Sequence, residues 1–244
     1  LGEWPGGEPV GTTKERLTVE NPVIVAIDGP SGTGKSSTSK AVAVRLGLSY
    51  LDTGAQYRAI TWWMLSNGVD VADPAAIADA SGKPVIVSGT DPRDPRISVD
   101  GVDASGPIRS QEVTAAVSAV SAVPEVRARM VEYQRAAAAA AATGIVVEGR
   151  DIGTTVLPDA TAKIFLTASA EVRAARRSGE LLGAVSVAAT QEALVKRDAA
   201  DSGRKTSPLA KAADAIEVDT SDLTLDEVVD RVVALVGEKK ATAR

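Results

Sequence analysis

The residues best suited to chemistry form one run, Gly29-Pro30-Ser31-Gly32-Thr33-Gly34-Lys35-Ser36, between the apolar stretch Val23–Ile27 and a helix-forming segment from Lys35 to about Leu46. A phosphate chain carries dense negative charge. A loop that wraps it needs inward-pointing backbone N–H groups, glycines where side chains would clash, and a helix N-terminus behind. Gly29, Gly32 and Gly34 supply that freedom, Lys35 a point charge for the β- and γ-phosphates, and the Ser36 hydroxyl a ligand for a bridging Mg²⁺. The competing reading is a glycine-rich turn that matches by chance. Strand, loop pattern and helix agree, which favours the phosphate loop. A second charged group, Glu148-Gly149-Arg150-Asp151, follows the apolar run Ile145–Val147, at the strand end where open α/β sheets bind ligands. A third, with Arg197, Asp198, Asp201 and Arg204, lies on a helix. By itself it reads as a solvated face with Arg197 and Asp201 paired at i,i+4.

Composition limits what these residues serve. At 244 residues and 44% hydrophobic, the chain buries one substantial core, or one core with a small inserted lobe. A net charge of -5 argues against a nucleic-acid or anionic-membrane surface, so the arginines are expected to gather in a site. The absence of cysteine excludes disulfides and thiolate zinc and fits a reducing compartment. The absence of histidine removes imidazole acid–base chemistry, hydrolase triads and the commonest transition-metal ligand. No stretch of about 20 strongly apolar residues occurs, so a cytoplasmic protein is expected.

The elements that must position the charged groups alternate between strand and helix. Residues 1–20 are rich in Gly, Pro, Glu and Thr and read as a flexible tail with a mobile Trp4. Leu48–Leu51 reads as a second strand, and Asp52 to Ser66 as a helix with Thr53 as N-cap. A short helix follows Asp73-Pro74. Residues 85–87, 97–99 and 102, with Asp100-Gly101 as a hairpin signal, predict a small sheet set into the α/β pattern. Helix is expected from Ile108 to Ser118, and again from Pro124 through the alanine run 136–142, with Gly144 ending it. Strands follow at 145–147, 162–166 and 215–218. Between the last two come a helix start at Ser169-Ala170-Glu171, weak structure over 179–190, and a helix from about Thr190. Residues 224–238 predict a closing helix, with Thr224 and Glu227 as a capping box.

Taken together, GPSGTGKS, LDTGAQYR (51–58), IRSQEV (108–113), Ser118 with PEVR (124–127), EGRDIGT (148–154) and RD..D..R (197–204) followed by Pro208-Leu209 resemble bacterial cytidylate kinase. The resemblance runs in order over about residues 22–240. It implies a P-loop three-layer α/β/α fold with a five-stranded parallel sheet, a small inserted β-rich monophosphate-binding lobe at about 67–108, and a helical lid at about 170–204. All belong to one kinase domain over 21–240. It implies phosphoryl transfer from ATP to CMP and dCMP with Mg²⁺, by a monomer without nucleic-acid or membrane partners. ATP would lie on Gly29, Pro30, Ser31, Gly32, Thr33, Gly34, Lys35, Ser36 and Ser37, with Arg173, Arg176 and Arg177 in the lid. Arg58, Arg150 and Arg197 match arginines that hold the acceptor monophosphate, with Thr53 and Tyr57 nearby. Ser118, Arg127 and Asp151 match residues facing the cytosine edge, Asp201 and Arg204 those at the sugar and phosphate end. Arg109 matches an arginine bracing the lobe. Lys35, Arg150 and Arg197 are the residues expected to carry catalysis.

The sequence departs from the family pattern where Glu148 stands for an Asp in some relatives, which leaves its part at Mg²⁺ open, and where Ala199 and Ala200 replace charges. Asp28 has two readings, a water-mediated partner of Mg²⁺ or a strand terminator. A GTP switch protein would need Asn-Lys-x-Asp, but only Asn21 and Asn67 occur and neither precedes Lys. The Leu-Ser-Gly-Gly signature of a transport ATPase is also missing. A kinase of UMP or another small acceptor, and a non-catalytic nucleotide-binding module, remain as alternatives.

Overall fold

The computed structural model describes residues 22–180 and 185–242. The expectations for the tail, Trp4 and the middle of the 179–190 segment fall outside them. β1 (Val23–Asp28) leads through the loop into α1 (Lys35–Leu46), then β2 (Ser49–Asp52) and α2 (Thr53–Ser66). Asp52, not Thr53, caps α2, its carboxylate accepting from the N–H of Ala55 at 2.9 Å. The Thr53 hydroxyl is taken by the Glu148 carbonyl instead, and Thr53 becomes the first helical residue. α3 (Pro74–Ala80) is capped by Asp73 and begins at Pro74, whose missing N–H has no bond to lose there.

β3 (Ile86–Ser88), β4 (Ile97–Val99) and β5 (Val102–Asp103) form a separate antiparallel sheet. Asp100 and Gly101 turn the second hairpin, both at positive φ (51° and 79°). Helix does not begin at Ile108. A single 3₁₀ turn over Pro107–Arg109 precedes Ser110, whose hydroxyl caps α4 (Gln111–Ala122). α5 (Pro124–Ala140) takes up most of the alanine run. Gly144 opens β6 (Gly144–Gly149) instead of closing the helix. At φ 116° a Cβ there would lie 2.1 Å from the Val23 carbonyl oxygen, so the close approach of β1 and β6 requires glycine.

A π-helical turn over Ile152–Val156 follows β6, then β7 (Ala162–Thr167) and α6 (Ala170–Glu180). α7 (Val187–Ser202) starts earlier than expected because Ser186 caps it. The chain closes with β8 (Ile216–Asp219) and α8 (Leu225–Thr242). Before α8, the Thr224 N–H and hydroxyl both meet Glu227 Oε2 at 2.8 Å, a capping box.

The main sheet has five parallel strands in the order β2-β6-β1-β7-β8. α1 and α8 pack on one face through Val42, Val228 and Val232, and α5 with the π turn packs on the other through Ala138, Ile152 and Val156. This is a three-layer α/β/α fold. The antiparallel sheet joins a third core shared with α2, α3, α4 and α5, through Ile60, Ile77, Ile86, Val99, Val120 and Met130. With β1 central and crossovers leaving to both sides, its carboxyl end is a topological switch point. Among the described residues no helix is long and apolar enough to cross a membrane.

Candidate active site

The phosphate loop leaves the carboxyl end of β1 pressed against β7. A Cβ on Gly29, at φ 146°, would sit 2.2 Å from the Leu166 carbonyl oxygen, so the loop starts where only glycine fits. The rear of the loop is fastened too. The carbonyl of Thr33 accepts from the Thr220 hydroxyl at 3.1 Å and from Arg176 at 3.5 Å. Arg176 also bonds the hydroxyl and carbonyl of Thr220, at 2.9 and 2.7 Å. It thus ties α6 to the loop after β8. Lys35 is buried, and its ammonium donates to the Pro30 carbonyl at 2.6 Å. Burial, and then the nearby Arg150 and Arg197 guanidiniums, hold its pKa well below the ordinary lysine value.

At the start of α1, the Ser36 hydroxyl donates to Glu148 Oε1 at 2.7 Å, and the Tyr50 phenol donates to the same oxygen at 2.8 Å. Glu148 is buried at the end of β6, opposite Asp52 on β2 and Ile27 on β1. Burial first, then the Asp52 charge, raise its pKa to about 7. Its other oxygen, Oε2, is buried with no hydrogen-bond partner among the described residues. A serine hydroxyl beside a buried carboxylate with a spare oxygen suits a hard divalent cation, which takes oxygen ligands. Among the described residues no three or more acidic, His or Cys side chains are placed to hold a metal ion, so such an ion would depend on phosphate and water oxygens for the rest of its shell.

Arg150, at the end of the same strand, spans the mouth of the loop. Its Nε pairs with Asp201 at 3.0 Å, Nη1 donates to the Gly29 carbonyl at 3.0 Å, and Nη2 to the Ser31 hydroxyl at 2.6 Å. Asp201 also faces Arg204 at 3.7 Å, so its partners are these two arginines instead of Arg197 one turn back. Folding α7 over the loop decides this, because it brings Arg150 to Asp201 from the sheet. Arg58 bonds Thr114 at 3.0 Å and the Ile108 carbonyl at 3.4 Å.

These cations crowd one another. Burial, then Arg177, with Arg109 and Arg150 further contributing, brings Arg58 down to about 10. Burial, then Arg150, Arg58 and Arg177, brings Arg197 to about 9. Both guanidiniums keep their charge at neutral pH, so the lowered values measure like charges held together without enough carboxylate between them. Such an arrangement is stabilised by a polyanion.

Next to this cluster, Arg127 and Asp151 form a buried ion pair, the guanidinium also donating to the Ser121 carbonyl at 3.2 Å and lying 5.3 Å from the Tyr57 ring centroid. Arg204 reaches the Ser121 hydroxyl at 3.4 Å. Buried N–H groups without hydrogen-bond partners among the described residues remain on Arg127, Arg197 and Arg204. Arginine, tyrosine and carboxylate thus lie side by side, with donors and acceptors in fixed directions. Ser118 is half-buried on α4, one turn before Ser121.

The sequence-selected residues therefore fall in one region, with differences in detail. Arg109, in the 3₁₀ turn, is exposed and reaches the cluster electrostatically. Thr53 donates to the Glu148 carbonyl at 2.7 Å. Arg173 pairs with Asp198 and Arg177 with Glu180 at 2.6 Å, while Gly32 lies under the Arg173 backbone. Asp28 caps a structural junction, accepting the N–H groups of Ile152 and Gly153 at 2.9 and 2.8 Å. Sequence reasoning missed Tyr50, because a tyrosine in an apolar strand reads as core. It also missed Thr220, which follows β8 in a polar run without a distinguishing pattern.

A family model for cytidylate kinase matches residues 25–238. A cytidylate kinase of Streptomyces avermitilis is 75% identical over 219 residues, spanning 90% of this chain and 94% of that protein. One from Streptomyces coelicolor is 77% identical over the same shares of the two chains. One from Streptomyces griseus is 72% identical over 96% of this chain and all of that protein. The match takes in the phosphate loop, the arginine cluster and the Arg127–Asp151 pair together, and the chain belongs to the cytidylate kinase family.

Proposed function

We propose that the chain transfers the γ-phosphoryl group of ATP to CMP and dCMP, giving ADP and CDP or dCDP, with Mg²⁺. The observation that carries this is the crowding of Lys35, Arg58, Arg150 and Arg197 at the carboxyl end of the sheet. Phosphoryl transfer between two anions needs little covalent chemistry from a protein. It needs charge neutralised, two oxygens held in line and water kept out. Arginine suits the work, since its planar fork bonds phosphate oxygens in pairs and stays charged, and a chain without histidine loses nothing by it.

The donor triphosphate lies on residues 29–37, with Lys35 turning from Pro30 to the phosphates and Arg173 and Arg177 over it. Ser36 and Glu148 are the residues that would hold the cation. When bound, Mg²⁺ neutralises charge on the β- and γ-phosphate oxygens. Arg58, Arg150 and Arg197 take the acceptor phosphate, with Thr53, Tyr57 and Arg109 around it, and Asp201 and Arg204 take the sugar end. Arg150 already touches the loop and α7 at once, so it stands between donor and acceptor. Arg127, Asp151 and Ser118 read the base. Cytosine presents an amine donor where uracil presents a carbonyl, and the Asp151 carboxylate accepts from the first and repels the second. A mismatched charged hydrogen bond costs about 1.5–3 kcal/mol, so discrimination of about 10- to 150-fold is expected. α6 and α7 act as the lid that excludes water from the transferring phosphoryl. The protein works as a monomer in the cytoplasm.

The test is ADP formation from Mg·ATP with CMP, dCMP, UMP, AMP and GMP supplied separately, with Lys35→Ala as control. Turnover confined mainly to CMP and dCMP, and lost in the control, is expected. Preference for another acceptor would keep the kinase and discard the base assignment. Nucleotide binding without transfer would leave a non-catalytic module.

A further inference from the structure

A hydroxyl that serves as a metal ligand must present a lone pair, so its single proton has to go elsewhere. Ser36 sends that proton to Glu148 Oε1 at 2.7 Å. The carboxylate is in turn held from behind. Tyr50 is 1% exposed, and its phenol donates to the same Oε1 at 2.8 Å. Both donors meet one oxygen, and Oε2 is left buried without a partner among the described residues. A buried carboxylate oxygen with no partner is costly, and a cation or its water shell is the group that would offset the cost. The Tyr50 ring belongs to the apolar cluster with Val25, Leu48 and Val146 beneath α1. A phenylalanine would keep that packing, so the phenol oxygen needs a separate reason.

We propose that Tyr50 is a positioning residue for the cation side of the donor site: its phenol fixes the Glu148 carboxylate so that Oε1 takes the Ser36 proton while the Ser36 oxygen and Glu148 Oε2 face the divalent cation bound with ATP. This rests on the donor-site reading above. Without the phenol, the carboxylate turns more freely towards Lys35, whose charge it already feels, and Ser36 loses its fixed acceptor. Partners that orient metal ligands typically change metal affinity by about 10- to 100-fold when removed.

Tyr50→Phe removes one oxygen and keeps the ring. Isothermal titration of ATP at increasing Mg²⁺ is the measurement, with thermal melting to establish that each variant folds. The expected result is unchanged binding of Mg²⁺-free ATP and a Mg²⁺ requirement raised on the order of tenfold. In a Ser36→Ala background, Tyr50→Phe should raise the requirement by less than in wild type, because the share of its effect that runs through Ser36 is already gone and only the share through Glu148 Oε2 remains. Tyr50→Leu carries the same expectation and serves if the phenylalanine variant does not fold. A Mg²⁺ requirement equal to wild type, an equal increase in the Ser36→Ala background, or weaker binding of Mg²⁺-free ATP would each overturn the assignment. If wild type itself binds ATP equally with and without Mg²⁺, the donor-site reading fails and this proposal with it. Mg²⁺ dependence in wild type that persists unchanged in Tyr50→Phe removes the Tyr50 assignment alone.

Discussion

Arg150 shows how one side chain links the parts of the site. Its guanidinium bonds Asp201 on α7 and two groups of the phosphate loop, and its charge lowers the pKa of both Lys35 and Arg197. Removing it has opposed effects on folding. Asp201, with 6% of its side chain exposed, loses its closer partner, while the crowded cations lose a repulsion. Arg150→Ala should therefore change stability by only about 1–2 kcal/mol while turnover falls about 100- to 1000-fold. Urea unfolding beside a steady-state assay checks this. Equal losses of folding and activity would place the residue in the core's support instead of the reaction. The sequence marked Arg150 through its position after a buried strand. It did not show Asp201 as its partner, because that pair joins residues 51 positions apart.

Among the elements, the junction of β1 with the π turn depends on Asp28. Its carboxylate closes the end of the strand by accepting two backbone N–H groups from the turn after β6. Burial outweighs those bonds and, with Asp151 adding to it, raises the pKa from 3.8 to about 6. The folded state then binds a proton more tightly than the unfolded chain. The group's stabilisation is fully present below about pH 4 and is lost as pH rises through about 6. Asp28→Asn lacks that titration. Wild-type stability relative to the variant should fall by about 2 kcal/mol between pH 4 and pH 7, as read from urea unfolding of both proteins at each pH. A flat difference would mean that the carboxylate stays ionised in the fold. The same contacts show Asp28 ending the strand, one of the two readings that spacing left even.

At the scale of the whole molecule, the antiparallel sheet shares its core with the helices that carry Arg58, Ser118 and Arg127. Ile77 on α3, 1% exposed, lies in the cluster with Ile60, Val120 and Met130. Ile77→Ala should cost about 2–5 kcal/mol. Because the cluster is continuous, calorimetry should show one cooperative transition at lower temperature. A separate early transition would mean that the small sheet unfolds by itself.

Local rules settled much of this protein before any tertiary contact was known. Apolar runs set the parallel strands, Asp73-Pro74, Pro124 and Thr224 with Glu227 set helix starts, and the glycines and Lys35 marked the phosphate loop. Each of these signals depends on residues within a few positions of one another, where backbone sterics and capping bonds act. Competition between neighbouring caps went the other way at Asp52, and the start of α4 moved to Ser110, since propensity does not rank adjacent candidates. Only the tertiary fold decided that Tyr50 and Ser36 converge on Glu148, that Asp201 turns to Arg150, and that the arginines crowd together. Those relations follow from the strand order, which sets β6 between β2 and β1 and brings residues about a hundred positions apart to one end of the sheet.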